Sequence, residues 1–597
     1  MEVYGADVDG IEGQLIKFSV VKADDGQGVA LLGNAGKVVR EGITRAAEAI
    51  HTLKGDWKIL ADSKYTIDLT PAEMPKSSEG LDLPIAIMLL QASIMQSIEV
   101  IERSIKRLED QKDNVKSKEP VRKRILARLD NLVRQKDRAL KYRQRLSSNR
   151  TKYVLIGKLD ISDGSLTSPQ FGMFSLICAA RNGHVLIVPN QSAVHASLIA
   201  RANSGLEVYQ AGTLQEVWDL ILGNCPPRPV RYNPKQVKQK ALLRRHVPDF
   251  KDIKGVNKAK KAMIVALAGG HNILLVGPPG SGKTMVSTAA LRLLPSLDVD
   301  GVFELNKIYS AKGELEADEL IFDRPFQEVS NTITESALFG GAVGGGSRRA
   351  TIPGVASLAH LGILFFDEVN LSDSQLVERL RVPLNDRQVR VQRLSSQVSY
   401  PSNFLLVAAM NPCKCGYYGH VKCTKCGETY FGHETRCPKH PNDKLPPRCK
   451  CDGKTISRYL SKMSVPLLDR IDLKVFVSPY EIDGTDAILN ASSTLQKQIE
   501  SARALQSRRY KGDAYIRCNA DIPDRSKFET LSHEVSNYVQ GIYRRYEPTK
   551  RQEIKLLLVA RTIADLEGAR EIHRNHVDEA MGLMGFGHPV FSDMLNV

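Results

Sequence analysis

The sequence predicts an α/β protein with a parallel β-sheet at its centre, and three observations support this. Short apolar runs at 272–277, 362–366 and 404–409 have the length and composition of fully buried strands. Glycine or polar residues follow each run, at the edge where an open α/β sheet places its ligand. The region from 481 to 597 is helical by periodicity.

The length and the charge set the broad class of the protein. A chain of 597 residues should hold three to four domains, at about 150 residues each. Its formal net charge of +16 and its pI near 9.2 indicate a polyanionic partner, with nucleic acid first. The alternative is a protein that merely carries one or two basic surfaces.

No targeting or membrane segment is expected. The sequence has no run of about 20 apolar residues, and its start, MEVYGADVDG, lacks the apolar stretch of a secretory signal. We therefore expect a cytoplasmic protein without a membrane partner. In such a compartment the 10 cysteines indicate metal ligands more than disulfides.

The N-terminal part, residues 1–224, mixes strand and helix patterns and is predicted to form one α/β domain. Its composition changes at 98–150, where Leu and Ile recur at helical spacing. Residues 101–150 contain 17 Lys or Arg against 7 Asp or Glu. We predict a basic helical hairpin inserted at 98–150, with a break near 118–120. The Pro-rich, basic segment 225–248 is predicted to be a linker.

Three segments are predicted beyond the linker. Residues 249–480 form a second α/β domain, which contains the three apolar strands. A cysteine-rich insert at 413–451 interrupts this domain. Residues 481–597 form a helical domain.

A glycine-rich loop follows the first apolar strand and fits the pattern GxxxxGK[ST]. Its glycines let backbone N–H groups surround the phosphates of ATP, Lys283 reaches the β- and γ-phosphates, and the Thr284 hydroxyl binds Mg²⁺. A strand before the loop and a helix after it supply the context that this pattern requires. The predicted ATP-binding residues are Gly277, Pro278, Pro279, Gly280, Ser281, Gly282, Lys283 and Thr284.

Polar side chains follow the other two apolar strands. Asp367 and Glu368 come directly after the strand at 362–366. Asp367 is expected to hold the Mg²⁺ shell and Glu368 to polarise the attacking water as general base. The alternative, an exposed acidic pair after a core strand, is weakened by Lys283 upstream. Asn411 follows the third strand and is expected to reach the γ-phosphate or the water.

Together these residues resemble the AAA+ branch that includes the magnesium chelatase motor subunits, and most closely its ComM (YifB) family. The matching segments are GGHNILLVGPPGSGKTM, GVASLAHLGILFFDE, VAAMNPCKCG, VPLLDRIDL and VARTIADLEG. The segment TPAEMPKSSEGLDLPIAI is similar to the Lon-protease-like N-terminal domain of that family. The resemblance covers nearly the whole chain. It implies a Lon-protease-like domain, an AAA+ ATPase core and a C-terminal helical lid.

The resemblance also implies roles for individual residues. Asn411 matches sensor 1, and Arg561 of the lid matches sensor 2. Arg470 matches the arginine finger that is offered to the ATP of a neighbouring subunit, where such a group contributes about 10³–10⁵ in rate. A finger that acts between subunits implies a homo-oligomer, and the family implies a hexameric ring. The alternative for Arg470 is a surface arginine in a turn flanked by aspartates.

Two loops are candidates for DNA contact. Residues 339–349, rich in glycine, resemble a loop aimed at the pore of the ring, and Arg348 and Arg349 lie in it. Residues 388–393 alternate like a hairpin strand and match the hairpin before sensor 1, with Arg390 and Arg393 facing DNA. The alternative for all four arginines is a solvated loop position.

The predicted Lon-protease-like domain departs from the proteases at one place. Those enzymes carry a catalytic serine shortly after a Pro-Lys pair, whereas Asp82 or a neighbour occupies that place here. Ser77 and Ser78 lie too early. We therefore expect no peptidase activity.

Seven of the cysteines lie between Cys413 and Cys451 and form two candidate Zn²⁺ sites. The first has two C-x₂-C/H pairs, a spacing that suits tetrahedral Zn²⁺. Its ligands are Cys423, Cys426, Cys437 and His440. The second has C-x-C spacing, which is less diagnostic but matches a pair that ComM-type sequences carry. Its ligands are Cys413, Cys415, Cys449 and Cys451. His420 and His433 are alternative ligands.

These features favour an ATP-hydrolysing DNA motor. By resemblance it would be a branch-migration helicase that acts on single-stranded or branched DNA in recombination or natural transformation. The alternative is an AAA+ motor that remodels proteins or serves metal chelation without moving along DNA. A third hypothesis is an ATP-gated scaffold that recruits partners through the helices at 98–150.

Overall fold

The computed structural model describes most of the chain. The described residues are 1–23, 28–53, 64–74, 76, 78–114, 119–242, 247–343, 350–392, 397–418, 420–423, 425–426, 429–431, 436–437, 439–444, 449–477, 490–511, 517–522 and 531–595. They form two compact units. Unit 1 comprises Met1–Lys240, Asn306–Ile321 and Ala342–Ile352, and unit 2 comprises Ala241–Leu305, Phe322–Gly341 and Pro353–Val597. Unit 1 thus extends into the segment 225–248 that the sequence predicts as a linker.

The strands and helices are numbered in chain order. The strands are β1 (Glu2–Asp9), β2 (Glu12–Ala23), β3 (Gly28–Leu32), β4 (Lys64–Thr70), β5 (Lys152–Leu155), β6 (Lys158–Leu159), β7 (Leu166–Thr167), β8 (His184–Pro189), β9 (Glu207–Ala211), β10 (Lys238–Gln239), β11 (Ile273–Val276), β12 (Glu319–Leu320), β13 (Phe326–Val329), β14 (Gly340–Val343), β15 (Ala350–Pro353), β16 (Ile363–Phe366), β17 (Gln388–Gln392), β18 (Gln397–Pro401), β19 (Leu405–Met410), β20 (His420–Lys422), β21 (Thr429–Phe431), β22 (Arg436–Cys437), β23 (His440–Lys444) and β24 (Leu473–Phe476). The helices are α1 (Lys37–His51), α2 (Asp82–Asn114), α3 (Glu119–Ser148), α4 (Met173–Cys178), α5 (Ala193–Ala202), α6 (Leu214–Ile221), α7 (Asn257–Gly269), α8 (Lys283–Ala289), α9 (Val299–Lys312), α10 (Glu335–Phe339), α11 (Val355–Leu358), α12 (Ser374–Arg379), α13 (Arg381–Asp386), α14 (Gly453–Leu460), α15 (Val465–Leu468), α16 (Ser492–Arg509), α17 (His533–Tyr546), α18 (Lys550–Leu566), α19 (Arg574–Met584) and α20 (Pro589–Leu595).

Unit 1 is built on a seven-stranded mixed sheet in the order β3-β4-β2-β1-β5-β8-β9. The strands β4, β2 and β1 pair antiparallel, and β1, β5, β8 and β9 pair parallel. Alternate residues of β4, such as Tyr65, Ile67 and Leu69, are buried against α1 and α2, as the period of two in a half-buried strand requires. This core includes Trp218 of α6.

The segment 98–150 lies in α2 and α3, which pack against each other as a hairpin. The structure differs from the expected insert in one respect, because α2 begins at Asp82 rather than near residue 98. Its first turns, from Leu83 to Leu90, are apolar and fully buried in the core of unit 1. The hairpin is therefore an extension of a core helix. Beyond the core its surface is polar and basic, and the run 122–124 is exposed.

One helix in the described chain, Glu79–Lys112, is long and apolar enough to cross a membrane by length and composition, with a mean hydropathy of 1.6 in its most apolar window. Within the protein, 71% of that window is buried. The apolar side chains of this helix thus pack in the protein core.

Unit 2 has a five-stranded sheet in the order β13-β16-β19-β11-β24, and all of its strands are parallel. The four residues of β11, of β16 and of β24 are all buried. Burial on both faces explains why β11 and β16 read as continuous apolar runs, whereas β24 contains the buried Lys474. The parallel-sheet α/β core predicted from the sequence is confirmed. Because the strands are parallel, their carboxyl ends share one edge and their amino ends share the opposite edge.

Helices cover the sheet of unit 2. The helix α7 packs against α16 and α18, and α18 packs against α19. Most of α18 from Leu556 to Asp565 is buried. These contacts join the C-terminal helices to the sheet in one hydrophobic core.

Candidate functional site

The glycine-rich loop connects β11 to α8 at the carboxyl edge of the five-stranded sheet. Gly280 and Gly282 have φ of +73° and +86°, a conformation that favours glycine. Lys283 is the first residue of α8, and its Nζ donates to the carbonyl oxygens of Gly277 and Pro278 at 2.8 and 2.9 Å. The loop therefore holds the one lysine that the pattern requires for phosphate binding.

The position of Lys283 affects its charge. The residue is 8% exposed. Burial lowers the pKa of its ammonium to about 8, against the opposing attraction of Asp367 and Glu368. The charge that binds phosphate is thus available at neutral pH and is lost on the alkaline side.

The two carboxylates predicted after β16 lie at the same edge. The Thr284 Oγ1 donates to Asp367 Oδ2 at 3.2 Å, so the two predicted Mg²⁺ ligands are neighbours. Glu368 has φ of +48°, a strained conformation for a residue other than glycine. Strain of this kind is frequent at active sites, and here it directs a carboxylate next to the phosphate loop.

The third predicted polar residue also reaches the loop. Asn411 follows β19, which lies next to both β11 and β16 in the sheet. Its Oδ1 accepts a hydrogen bond from Lys283 Nζ at 3.2 Å. The structure thus brings Thr284, Asp367, Glu368 and Asn411 together around Lys283.

The residues fit ATP with Mg²⁺ on two further observations. Ser281 Oγ in the loop is buried, and among the described residues it has no hydrogen-bond partner. The loop leads directly into the N-terminus of α8, where backbone N–H groups favour an anion. A phosphate can satisfy both groups.

Asn331 is a further residue of this site, which the sequence did not predict. This residue follows β13, and its Nδ2 donates to Glu368 Oε2 at 3.2 Å. The amide therefore holds the carboxylate that is expected to activate water. The strand β13 has the sequence FQEV, so it gives no continuous apolar signal, and the sequence alone does not show which strand neighbours β16.

Arg470 lies at the opposite edge of the sheet. Its carbonyl accepts a hydrogen bond from Asn272 Nδ2 at 3.1 Å, and Asn272 precedes β11. The Arg470 side chain donates to Asn385 Oδ1 at 3.0 Å, and Arg551 donates to the same oxygen at 3.1 Å. Neither Arg551 nor Asn385 was predicted from the sequence. Arg470 is thus not brought to the ATP loop of its own chain.

Arg561 is 2% exposed and makes local contacts. Its guanidinium donates to Asp565 Oδ1 at 3.1 Å and to the carbonyl oxygens of Ala569 and Arg570 at 2.5 and 2.8 Å. These hydrogen bonds hold the segment that follows α18 against the helix. They favour a structural role for Arg561, and sensor 2 stays a prediction.

Four cysteines form the outer centre, defined as Cys413, Cys415, Cys449 and Cys451. Their sulfur atoms all lie within 4.8 Å of one another. The sulfur of Cys413 lies 3.3 Å from that of Cys415 and 3.6 Å from that of Cys449. Four thiolates bound to Zn²⁺ at about 2.3 Å have sulfurs roughly 3.8 Å apart, so the donor set fits a structural zinc ion.

The surroundings of the outer centre favour a thiolate at Cys415, whereas burial raises the pKa of Cys413 and of Cys449. Burial raises the pKa of Cys415, but backbone N–H groups of Tyr417 and Lys450 and the neighbouring thiols outweigh it and lower that pKa to about 6. The Tyr418 backbone N–H donates to Cys413 Sγ at 3.3 Å, and its hydroxyl donates to Asp593 of α20 at 2.5 Å. The centre is therefore tied to the C-terminal helix.

Three ligands of the inner centre, Cys423, Cys426 and His440, also lie within 4.8 Å of one another. The Sγ of Cys423 is 3.6 Å from His440 Nδ1. The fourth predicted ligand, Cys437, pairs with His440 across β22 and β23, although its side chain lies outside the described residues. The backbone pairing places the predicted fourth ligand on the strand next to His440.

The predicted DNA contacts are described only in part. Gln388–Gln392 pairs with Gln397–Pro401 as an antiparallel hairpin. Arg390 is exposed on it, 3.9 Å from Asp386. Arg348, Arg349 and Arg393 lie outside the described residues.

In unit 1, Asp82 occupies the place expected for a protease serine. It is 1% exposed and forms a bidentate ion pair with Arg45, with Nε and Nη2 at 2.6 and 2.9 Å. The buried ion pair joins α1 to the start of α2. This arrangement gives Asp82 a structural role.

Comparisons with known proteins agree with this site. The family model described as magnesium chelatase, subunit ChlI, matches residues 249–435 and 433–484, and the model of the ChlI C-terminal part matches 490–584. A third, described as subunit ChlI of Mg-chelatase, matches 19–106.

Similar proteins span nearly the whole chain. YifB of Salmonella typhimurium is 29% identical over 560 residues, covering 93% of this chain and 91% of YifB. The competence protein ComM of Haemophilus influenzae is 27% identical over 590 residues, covering 97% of this chain and 96% of ComM. The magnesium-chelatase 67 kDa subunit of Heliobacterium mobile is 29% identical over 193 residues, covering 28% of this chain and 29% of that subunit. The chain therefore belongs to the magnesium-chelatase family and is of its ComM/YifB-like type.

Proposed function

We propose that this protein is an ATP-hydrolysing motor that moves branched DNA, as a branch-migration helicase does in recombination or natural transformation. The observation that carries the ATPase is the convergence of Lys283, Asp367, Glu368 and Asn411 at one edge of the parallel sheet. The four residues follow three different strands of the sheet, so the site depends on the fold of unit 2.

Each residue has a distinct task in hydrolysis. The backbone of the loop and Lys283 bind the phosphates, and Thr284 and Asp367 hold Mg²⁺, which neutralises charge on the phosphates. Glu368 takes a proton from the attacking water, and Asn411 orients the phosphoryl group or that water. Asn331 positions the Glu368 carboxylate through its hydrogen bond.

Arg470 acts on a neighbouring subunit in this proposal. It lies at the amino edge of the sheet, whereas Lys283 lies at the carboxyl edge. An arginine finger of this chain must then serve the ATP of a second copy, which supports a homo-oligomeric ring, taken as hexameric from the family. Arg551 shares Asn385 with Arg470 and is part of the same cationic surface.

DNA is the proposed load for three reasons. The net charge is +16, the basic run 122–124 is exposed on α3, and a relative that spans nearly the whole chain is a competence protein. Phosphate contacts from such a surface supply affinity without sequence preference. Arg348, Arg349, Arg390 and Arg393 are the proposed contacts in the pore.

The cysteine centres are proposed to bind two structural Zn²⁺ ions. Four protein ligands close the coordination sphere, so such an ion stabilises a fold rather than reacting. The outer centre begins two residues after Asn411, so the metal would fix the chain that leaves the ATP site.

The alternative motor for metal chelation has narrower support. The magnesium-chelatase subunit of Heliobacterium mobile matches only 28% of this chain. The matched share of the chain is smaller than unit 2. It supports a shared ATPase core and does not support a shared substrate of the motor.

A strand-displacement assay on forked DNA tests the proposal. The protein with ATP and Mg²⁺ should release the labelled strand, and Lys283→Ala should not. Replacing the three basic residues at 122–124 by glutamine should weaken DNA binding. The slope of the logarithm of the DNA affinity against the logarithm of the salt concentration should become shallower by about 0.9 for each lost phosphate contact. A matched control places glutamine at the exposed positions Lys497, Arg508 and Lys511. Release of no strand by a protein that hydrolyses ATP would support the chelatase-type or remodelling alternative.

A further inference from the structure

A cavity of about 740 Å³ lies within unit 2 at the amino edge of the five-stranded sheet. Asn272, Gly362 and Phe404, which line it, each stand just before a strand of this sheet. Its other wall includes Arg503 of α16 and Lys555 of α18. The cavity therefore lies between the sheet and the C-terminal helices, partly open to solvent, at the edge opposite Lys283.

The lining of the cavity is strongly cationic. Seven arginine or lysine side chains line it, against three aspartates. Lys555 pairs with Asp472, Arg387 with Asp521, and Arg517 with Glu304 at 3.4 Å. The remaining four cations form no ion pair with any part of the chain that the structure describes. These four are Arg324, Arg470, Arg503 and Arg551.

Two of these four, Arg324 and Arg503, are called the inner arginines; they belong to different elements, and their charges are near enough to interact. Arg324, which precedes β13, donates to the carbonyl oxygens of Pro295 and Leu361 at 2.7 and 2.6 Å. Arg503 donates to the carbonyl of Leu267 at 3.1 and 2.7 Å. Burial, and then the nearby charge of Arg503, lower the pKa of Arg324 to about 10. A bound anion would relieve both the desolvation and the repulsion.

The shape and chemistry of the cavity select among anions. A guanidinium presents a planar fork that matches phosphate oxygens in pairs. The cavity also has apolar surface from Leu294, Phe404 and Ile554, which can cover a base or a ribose. Its volume is within the range of about 300–1,000 Å³ that holds cofactor-sized ligands.

We propose that this cavity binds a nucleoside polyphosphate, separate from the ATP of the phosphate loop, and that the bound phosphates join Arg324 at the sheet to Arg503 on α16. The ligand would hold the C-terminal helices against the ATPase sheet. The proposal does not depend on DNA as the load of the motor. It also does not depend on Arg470 as a finger, because the two inner arginines carry it.

The stoichiometry of ADP binding tests the proposal in the full chain. Equilibrium dialysis should find two ADP for each chain, and Lys283→Ala should keep one. Arg503→Gln should also keep one, whereas Arg508→Gln, an exposed arginine on the same helix, should keep two. If the ATP site lies between two copies, each chain still contributes one such site, so that site alone gives one ADP for each chain. A result of one ADP for each chain of the unaltered protein therefore overturns the proposal.

A second variant of Arg503 and a competition experiment test whether the arginine binds phosphate. Arg503→Lys retains the positive charge and the aliphatic part of the side chain but not the planar guanidinium. It should weaken the affinity of the cavity for ADP by about tenfold or more and leave the affinity of the phosphate loop unchanged. Unchanged binding of both ADP molecules in Arg503→Lys and Arg503→Gln contradicts the proposal. Inorganic tripolyphosphate should displace the ADP that Lys283→Ala retains. Failure to displace it would mean that the phosphates are not what the site recognises.

Discussion

Gly416 of the cysteine-rich segment packs directly on Pro279 of the phosphate loop. A Cβ built at Gly416 would lie 2.4 Å from Pro279 Cδ, and Gly416 has φ of +84°. Gly416 is next to Cys415, a ligand of the outer centre. The centre and the phosphate loop are therefore in contact, and the state of one can affect the other.

Replacing Gly416 by alanine should weaken ATP binding. The added methyl must push Pro279, and the left-handed backbone adds strain of about 1–2 kcal/mol, so the affinity for ATP should fall roughly tenfold. Titration of ATP without hydrolysis measures this. The matched control is Gly453→Ala, where a Cβ meets nothing within 4 Å. Equal affinities in the two variants would show that the contact has no effect on the loop.

The metal content of the purified chain should be two Zn²⁺. Cys415→Ser should lower it by one, since it removes a ligand of the outer centre, and Cys423→Ser should lower it by one at the inner centre. Metal analysis by mass spectrometry measures both. Cys178→Ser, a cysteine of unit 1 outside both centres, is the control. A content of one zinc or less for each chain contradicts the two-site account.

Much of the ATP site could be predicted because its signals are local. The loop from Gly277 to Thr284 carries its own glycines, and the carboxylates at 367 and 368 follow a strand that is apolar throughout. Each predicted polar residue follows the carboxyl end of its strand. In a parallel sheet these ends share one edge, so the residues are expected to lie close together. The four-residue strands β11 and β16 fall within one residue of the expected segments at both ends.

The remainder depends on contacts between distant parts of the chain. Asn331 reaches Glu368 only because β13 and β16 are neighbours, and Arg551 reaches Asn385 across 166 positions. No local sequence pattern predicts either of these two contacts. Arg561 shows the converse, because a family motif suggested a role at the ATP site and the structure gives its guanidinium local partners.

The affinity for ATP should depend on pH through Lys283. Its pKa is lowered to about 8, so the ammonium is charged below pH 8 and becomes neutral above it. In the free protein, ATP affinity should therefore be constant from pH 6.5 to 7.5 and fall by up to about tenfold for each pH unit above 8. Titration across this range measures the effect. Constant affinity of the unaltered protein up to pH 9.5 would contradict a pKa of about 8 for Lys283.

Removing the amide of Asn331 should change catalysis and leave binding alone. Its hydrogen bond positions the Glu368 carboxylate that is proposed to take a proton from water, so Asn331→Ala should lower the basal rate. One hydrogen bond of about 0.5–1.5 kcal/mol corresponds to roughly two- to tenfold in kcat. Steady-state hydrolysis gives kcat, and ATP titration gives the affinity. Glu368→Gln is the reference variant, which should bind ATP and lose hydrolysis by about 10²–10⁴. A fall in ATP affinity with unchanged kcat in Asn331→Ala would assign the amide to binding instead.

The most direct test of the central claim is the rate of ATP hydrolysis with and without forked DNA at low salt. A motor that moves DNA should hydrolyse ATP faster when the DNA is present, the stimulation should decrease as salt is added, and Lys283→Ala should show no rate in either condition. The account predicts all three results. An ATPase rate that no DNA changes at low salt, in a protein whose Lys283 is required, would contradict DNA as the load and leave an ATPase with another substrate.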